Sequence, residues 1–200
     1  AAIDVLVFEG TEGVIAANGD IRRVLTVPEG AAIGIHLRML MAILRRYDLA
    51  VSTQPGDRPT FYAWAAGKRA VGPVEASAGG FWKRWLLSRW IAFDNRDTHT
   101  VVMNLRLAEL FGIERKFDVV VSWRPSDESR VSSMLAFDPA AEPYAVFHPF
   151  PKFNYKMWKR NGWIGLTRYL LGRGLRVVFT GSGAPEEVSY VRGIADEIRG

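Results

Sequence analysis

The stretch PYAVFHPFPKFNYKMW at positions 143–158, continued by GWIGLTRYLLGRGLRVVFTGSGAPEE at 162–187, decides the reading of this chain. Tyr144 to Phe147 is a short apolar run that opens a loop dense in Pro, aromatic and Lys residues. Trp163, Leu166 and Leu170 then recur at the spacing of a helix, and Gly172 and Gly174 supply stop signals where the period ends. Arg176 to Thr180 is apolar and β-branched, which predicts a second strand. Gly181-Ser182-Gly183 turns the chain ahead of Pro185, Glu186 and Glu187 at the head of another helix. The result is a β-α-β-α unit. In such units ligands sit beyond the carboxyl ends of the strands, where free backbone N–H groups and helix N-termini favour anions. Residues 148–158 and 181–187 are therefore the candidate binding loops.

The same alternation runs upstream. Ile3 to Phe8 and Arg22 to Val27 read as strands joined by a short helix from Thr11 to Ala17. Leu37, Leu40, Met41 and Leu44 line one face of a helix that Arg45 and Arg46 finish favourably for its dipole. Tyr47 to Thr53 reads as a third strand, running into the loop Gln54-Pro55-Gly56-Asp57-Arg58-Pro59, with Thr60 as the cap of the next turn. A short helix over 61–67 and a short strand over 68–71 follow, until Gly72 and Pro73 break the order. Trp82, Leu86 and Arg89 share a helical face, while Lys83, Arg84 and Arg89 concentrate positive charge. Thr98 begins a helix with Val101, Val102, Leu105 and Ala108 at its period and Gly112 at its stop, and Phe117 to Trp123 reads as a strand. Residues 125–142 lack a period and read as a linker. The expected organisation is α/β throughout: a Rossmann-like domain over 1–124, the linker, and the start of a second such domain over 143–200.

Composition narrows the function without choosing it. The chain has 200 residues, 48% of them hydrophobic, enough for real cores. A net charge of +5 favours anionic partners in general. The absence of cysteine excludes disulfides and thiolate metal sites. No run approaches the ~18 apolar residues of a membrane-spanning helix. The chain starts at Ala1 and closes just after a helix, which suggests a piece of a longer protein.

Lys156, in the loop between strand and helix, is a candidate point charge on a phosphate, held by Tyr155 and Trp158; the plain alternative is a solvated lysine beside core aromatics. Glu186 or Glu187 could accept hydrogen bonds from ribose hydroxyls, although a carboxylate in a first helical turn also compensates the dipole. Gly181 belongs to a turn without the spacing of a dinucleotide fingerprint and without the lysine of a P-loop. His36, His99 and His148 are scattered, so no metal-ligand spacing exists, and His148 at a strand end is the best placed to meet a ligand. No GxSxG elbow is present. The Trp and Arg cluster from Phe81 to Arg96 suits a polyanionic acceptor, a membrane surface or nucleic-acid bases, the commoner outcome being a packed amphipathic helix.

In order along the chain, IDVLVF (3–8), YDLAVSTQPGDRPTFYAWAAGKRAVG (47–72), THTVVMNLRLAELFGI (98–113), PYAVFHPFPKFNYKMW and GLRVVFTGSGAPEEVSYV (174–191) together resemble family 9 glycosyltransferases, the group that includes lipopolysaccharide heptosyltransferases. The resemblance implies a GT-B fold of two Rossmann-like domains, both incomplete here, and inverting transfer from a nucleotide-sugar donor, typically ADP-heptose, without a metal or other cofactor. It matches Lys156 to the family lysine on the donor phosphates, Glu187 and less closely Glu186 to the acidic residue that reads the nucleoside, and His148 and Gly181 to the donor side. Asp57 and Arg58 would face the acceptor, with Arg84 and Arg89 as further candidates for an anionic inner-core sugar. The family's hydroxyl residues before the lysine are replaced by Pro149, Phe150 and Pro151. Its general base would lie upstream of residue 1, so no catalytic residue is assigned and these 200 residues alone are expected to lack activity.

The implied protein is a cytoplasmic transferase of cell-envelope glycan assembly, open to peripheral contact with the inner membrane through a lipid-linked acceptor and without a nucleic-acid partner. Two other readings stand beside it: a nucleotide-sugar epimerase on the same scaffold, and a non-enzymatic basic module binding nucleic acid or anionic lipid.

Overall fold

Strand β1 (Ile3–Phe8) runs parallel to β2 (Ile21–Val27), from Ile3 opposite Ile21 to Phe8 opposite Val27. The computed structural model describes residues 2–76 and 78–199, and the chain divides into two compact units, Ala1–Trp123 and Arg124–Gly200. Between β1 and β2 the expected helix is only a 3-10 turn, Glu12–Val14. Gly13 and the β-branched Val14 and Ile15 lower helix propensity there.

Helix α1 (Ile33–Ile43) follows β2. Arg45 does not finish it: its φ of 50° lies in the left-handed region, and its guanidinium donates to the Gly67 carbonyl at 2.7 Å. The arginine ties two segments together instead of neutralising a dipole. Strands β3 (Tyr47–Val51), β4 (Gly67–Val74) and β5 (Arg89–Ala92) form a parallel sheet in that order.

Helix α2 (Asp57–Ala66) starts three residues before Thr60, whose hydroxyl donates back to the Gly56 carbonyl at 2.9 Å from inside the helix. It runs into β4 without a loop. A Cβ on Gly67 would stand 2.3 Å from the Arg69 carbonyl and 2.8 Å from the Ala50 nitrogen, so only glycine fits this junction. Ala63, Ala70, Val74 and Leu87 make the core of the first unit, with Ala50 against it.

Pro73, expected to break the strand, lies inside β4. Val71 accepts from Ser52, whereas Ala70 and Val74 accept from Ser88 and Phe93 on the other side. By alternation Pro73 points toward β3, whose register ends at Val51 opposite Val71, so the missing N–H has no ladder to break.

The stretch after Gly80 is not a long amphipathic helix. Helix α3 (Lys83–Leu86) is a single turn, and Arg89 opens β5 instead of joining a helical face. Helix α4 (Thr100–Glu109) begins after His99, whose Nδ1 accepts from the Val101 nitrogen, while the Thr98 hydroxyl is held by Asp94. Its buried side chains are Met103 and Leu107, so the core face is rotated from the one the sequence suggests. Residues 117–123 form no strand: Val119, Val120, Val121 and Trp123 are exposed.

In the second unit, helix α5 (Pro125–Met134) occupies the region read as linker. The Arg124 nitrogen donates to Asp127 at 3.0 Å, and Pro125 takes the first helical position. Strands β6 (Tyr144–Phe147) and β7 (Arg176–Phe179) pair in parallel, with Phe147 opposite Phe179. Helix α6 (Arg160–Gly172) joins them, and Gly174 ends the turn at φ 79°. Helix α7 (Pro185–Arg199) packs against α6, and Ile194 of α7 and Ile164 and Thr167 of α6 are buried.

Candidate functional site

Residues of the second unit converge where β6 and β7 end. Phe147 is the last residue of β6, so His148 emerges beside Thr180 at the end of β7. The Thr180 hydroxyl donates to the Phe147 carbonyl at 3.2 Å, leaving its oxygen to accept from His148 Nδ1 at 3.3 Å. This places the neutral ring's proton on Nδ1 and turns the Nε2 lone pair outward. Nε2 stands 3.9 Å from Glu187 Oε1.

Glu187 lies in the first turn of α7 with its side chain 8% exposed. Its Oε2 accepts from the Ser182 hydroxyl, whereas Oε1 is buried without a hydrogen-bond partner. Hydrogen bonds from the Ser182 side chain and backbone hold the Glu187 carboxyl below its ordinary value despite burial. A Cβ on Gly181 would lie 2.7 Å from Oε1, so the glycine makes room for the carboxylate under the turn. Glu186 points elsewhere. With Phe150, Asn154, Met157, Ser189 and Tyr190 it lines a cavity of about 530 Å³ between the 148–158 loop and α7.

Lys156 closes the 3-10 turn Asn154–Lys156, with its ammonium 5.5 Å and 5.6 Å from the ring centres of Phe153 and Tyr155. Those two rings stack on each other and hold the lysine. Trp158, expected to share that task, turns away and meets Trp163 edge-on. Among the described residues Lys156 has no carboxylate partner, so its charge is free for an anion.

The first unit carries the other candidates. Asp57 opens α2, with Oδ1 2.9 Å from the Lys83 ammonium. Arg58 is exposed one residue on. Arg84 stacks over Trp90 at 4.3 Å, and Arg89 donates to the Leu110 carbonyl beside Phe111. These residues are not gathered on one helical face. Sequence reasoning also misplaced Lys83: it is 3% exposed, bonded to the Pro55 carbonyl and to Asp57, and clasps the 54–57 loop instead of adding to the surface charge. Ser182 and Thr180 went unnoticed, although their spacing around Gly181 could have flagged them. Among the described residues no cluster of His, Asp or Glu could hold a metal ion.

The architecture corresponds to solved GT-B glycosyltransferases. A family 9 glycosyl transferase from Veillonella parvula superposes with a TM-score of 0.80 at 15% identity, over 98% of this chain and 57% of that one. The E. coli heptosyltransferase WaaC with ADP-2-deoxy-2-fluoro heptose superposes at 0.72 and 18% identity, over 99% of this chain and 64% of its own. E. coli ADP-heptose lps heptosyltransferase II gives 0.72 at 15% identity, over 98% and 60%. The chain thus spans about three-fifths of the length of these structures. No curated protein matches it in sequence. The profile of glycosyltransferase family 9 (heptosyltransferase) covers residues 37–200, and the chain belongs to that family.

Proposed function

We propose that this chain is part of an inverting glycosyltransferase that moves a sugar, heptose by its family, from an ADP-heptose-like donor to a lipopolysaccharide core or related cell-envelope glycan. The second unit binds the donor and the first faces an anionic, lipid-linked acceptor, with Asp57, Arg58, Arg84 and Arg89 as its candidate contacts. The observation that carries this reading is the half-satisfied Glu187 carboxylate. Its unpartnered Oε1 and the His148 Nε2 lone pair are two acceptors 3.9 Å apart, a pairing that suits vicinal hydroxyls such as those of a ribose. Lys156 then supplies positive charge where the departing diphosphate gathers negative charge, an electrostatic contribution that grows toward the transition state. The structure of E. coli WaaC with ADP, a protein of the same architecture, supports a nucleotide as ligand.

Calorimetric titration with ADP tests the proposal. Binding is expected, and Lys156→Ala should weaken it roughly tenfold or more, in line with a lost charge-assisted contact. Failure of ADP to bind, or equal binding by the variant, would overturn the donor assignment.

A further inference from the structure

The first unit carries an aromatic patch that internal packing does not explain. Trp85 is 83% exposed and Phe81 59%, and both stand on or beside the single turn of α3 while Lys83 and Leu87 turn inward. Phe61 of α2 is also exposed and stacks on Trp82 with ring centres 5.2 Å apart, extending the aromatic surface onto α2. Isolated apolar residues are ordinary on a surface; a contiguous group is not.

The charge around these rings is one-sided. Between Glu75 and Asp94 the chain has three basic and no acidic residues, and of the three Lys83 is buried. Arg84 lies over the exposed Trp90, and Arg58 is exposed one helical turn before Phe61. The Asp57 carboxylate nearby is matched by Lys83. Aromatic rings bordered by guanidinium groups settle in the headgroup layer of a bilayer, the rings at the apolar boundary and the cations on phosphate. A groove for single-stranded nucleic acid instead needs cations that track the backbone along its length. Here a few arginines border a broader set of rings.

We propose that Phe61, Phe81, Trp85 and Trp90, with Arg58 and Arg84, form a docking surface for an anionic lipid bilayer. This surface belongs to the first unit and does not depend on nucleotide binding by the second.

Flotation of the chain with vesicles of phosphatidylcholine, alone or mixed with phosphatidylglycerol, tests it. The chain is expected to float with the mixed vesicles, less so as salt rises, and weakly with phosphatidylcholine alone. Phe81→Ser combined with Trp85→Ser should lower the partition roughly tenfold or more, and Arg84→Glu should lower it for the mixed vesicles only. Because both rings are exposed, the double variant should melt at the parent temperature, so lost flotation reports the surface and not the fold. The proposal is overturned if the parent chain does not float with the mixed vesicles or if the double variant floats equally well. Binding of a single-stranded oligonucleotide that both variants lose, with the vesicles left unbound, overturns it too.

Discussion

Asp4 in the first unit and Glu187 in the second are both buried carboxylates, with side chains 2% and 8% exposed, yet their surroundings differ in kind. Both Asp4 oxygens are occupied: Arg22 grips them with two bonds of 2.8 Å, Arg23 approaches at 3.1 Å, and the Tyr47 hydroxyl donates at 2.8 Å. The register shift between Ile3 and Asp4 lets two consecutive arginines of β2 converge on one acid. Glu187 is bonded by Ser182 alone, and its Oε1 has no partner among the described residues. A saturated carboxylate holds β1, β2 and β3 together and has no capacity left for a ligand. A half-saturated one keeps an unmet acceptor, which costs stability unless something arrives to fill it.

The comparison can be broken at several points. Asp4→Asn should give the largest loss of thermal stability, because it removes the counter-charge of a pair of arginines and leaves one amide N–H₂ facing their donors. Thermal unfolding followed by circular dichroism measures it, and a midpoint no lower than that of Glu187→Gln would erase the distinction. Glu187→Gln should hardly move the midpoint but cost roughly tenfold in ADP affinity by titration calorimetry, since it replaces the charged acceptor. Gly181→Ala should also weaken ADP, through a Cβ that displaces Oε1; unchanged affinity would mean that the glycine is only a turn residue.

The smallest effect is the acid response. Both carboxyls titrate below their unfolded values of 3.8 and 4.5, Asp4 chiefly through Arg22 and Glu187 chiefly through Ser182. Each therefore contributes stability that is complete above its unfolded value and lost as pH falls through the lower folded one. On acidification the Glu187 share should begin to fade near pH 4.5, ahead of the Asp4 share near 3.8. Stability measured against pH in the two amide variants should lack the corresponding portion of the slope.

Much of the scaffold was legible because parallel strands announce themselves as short apolar runs. Ile3–Phe8 and Tyr144–Phe147 fall where the sequence places them. Pro73 was misread because proline's cost depends on whether a neighbouring strand still runs beside it, which is a fact of register. Residues 117–123 have strand composition, but strand propensity is realised only against a partner edge. The 125–142 region hid a helix because α5 buries none of its residues, so it has no apolar stripe to detect. At the site, His148, Glu187 and Gly181 were placed together by the rule that strand ends face ligands. The seclusion of Lys83 was invisible, since charge alone gives no hint that a cation is enclosed by a loop.

The seamless passage from α2 to β4 at Gly67 fixes the count of residues along that path. Inserting one amino acid there would turn the helix by about a quarter-circle relative to its bed, or would exchange the inward and outward faces of the whole strand. Length changes are thus forbidden at a point where point replacements elsewhere in α2 remain open. The spacing from the Asp57 carboxylate to the central strand behaves as a fixed ruler within the first unit.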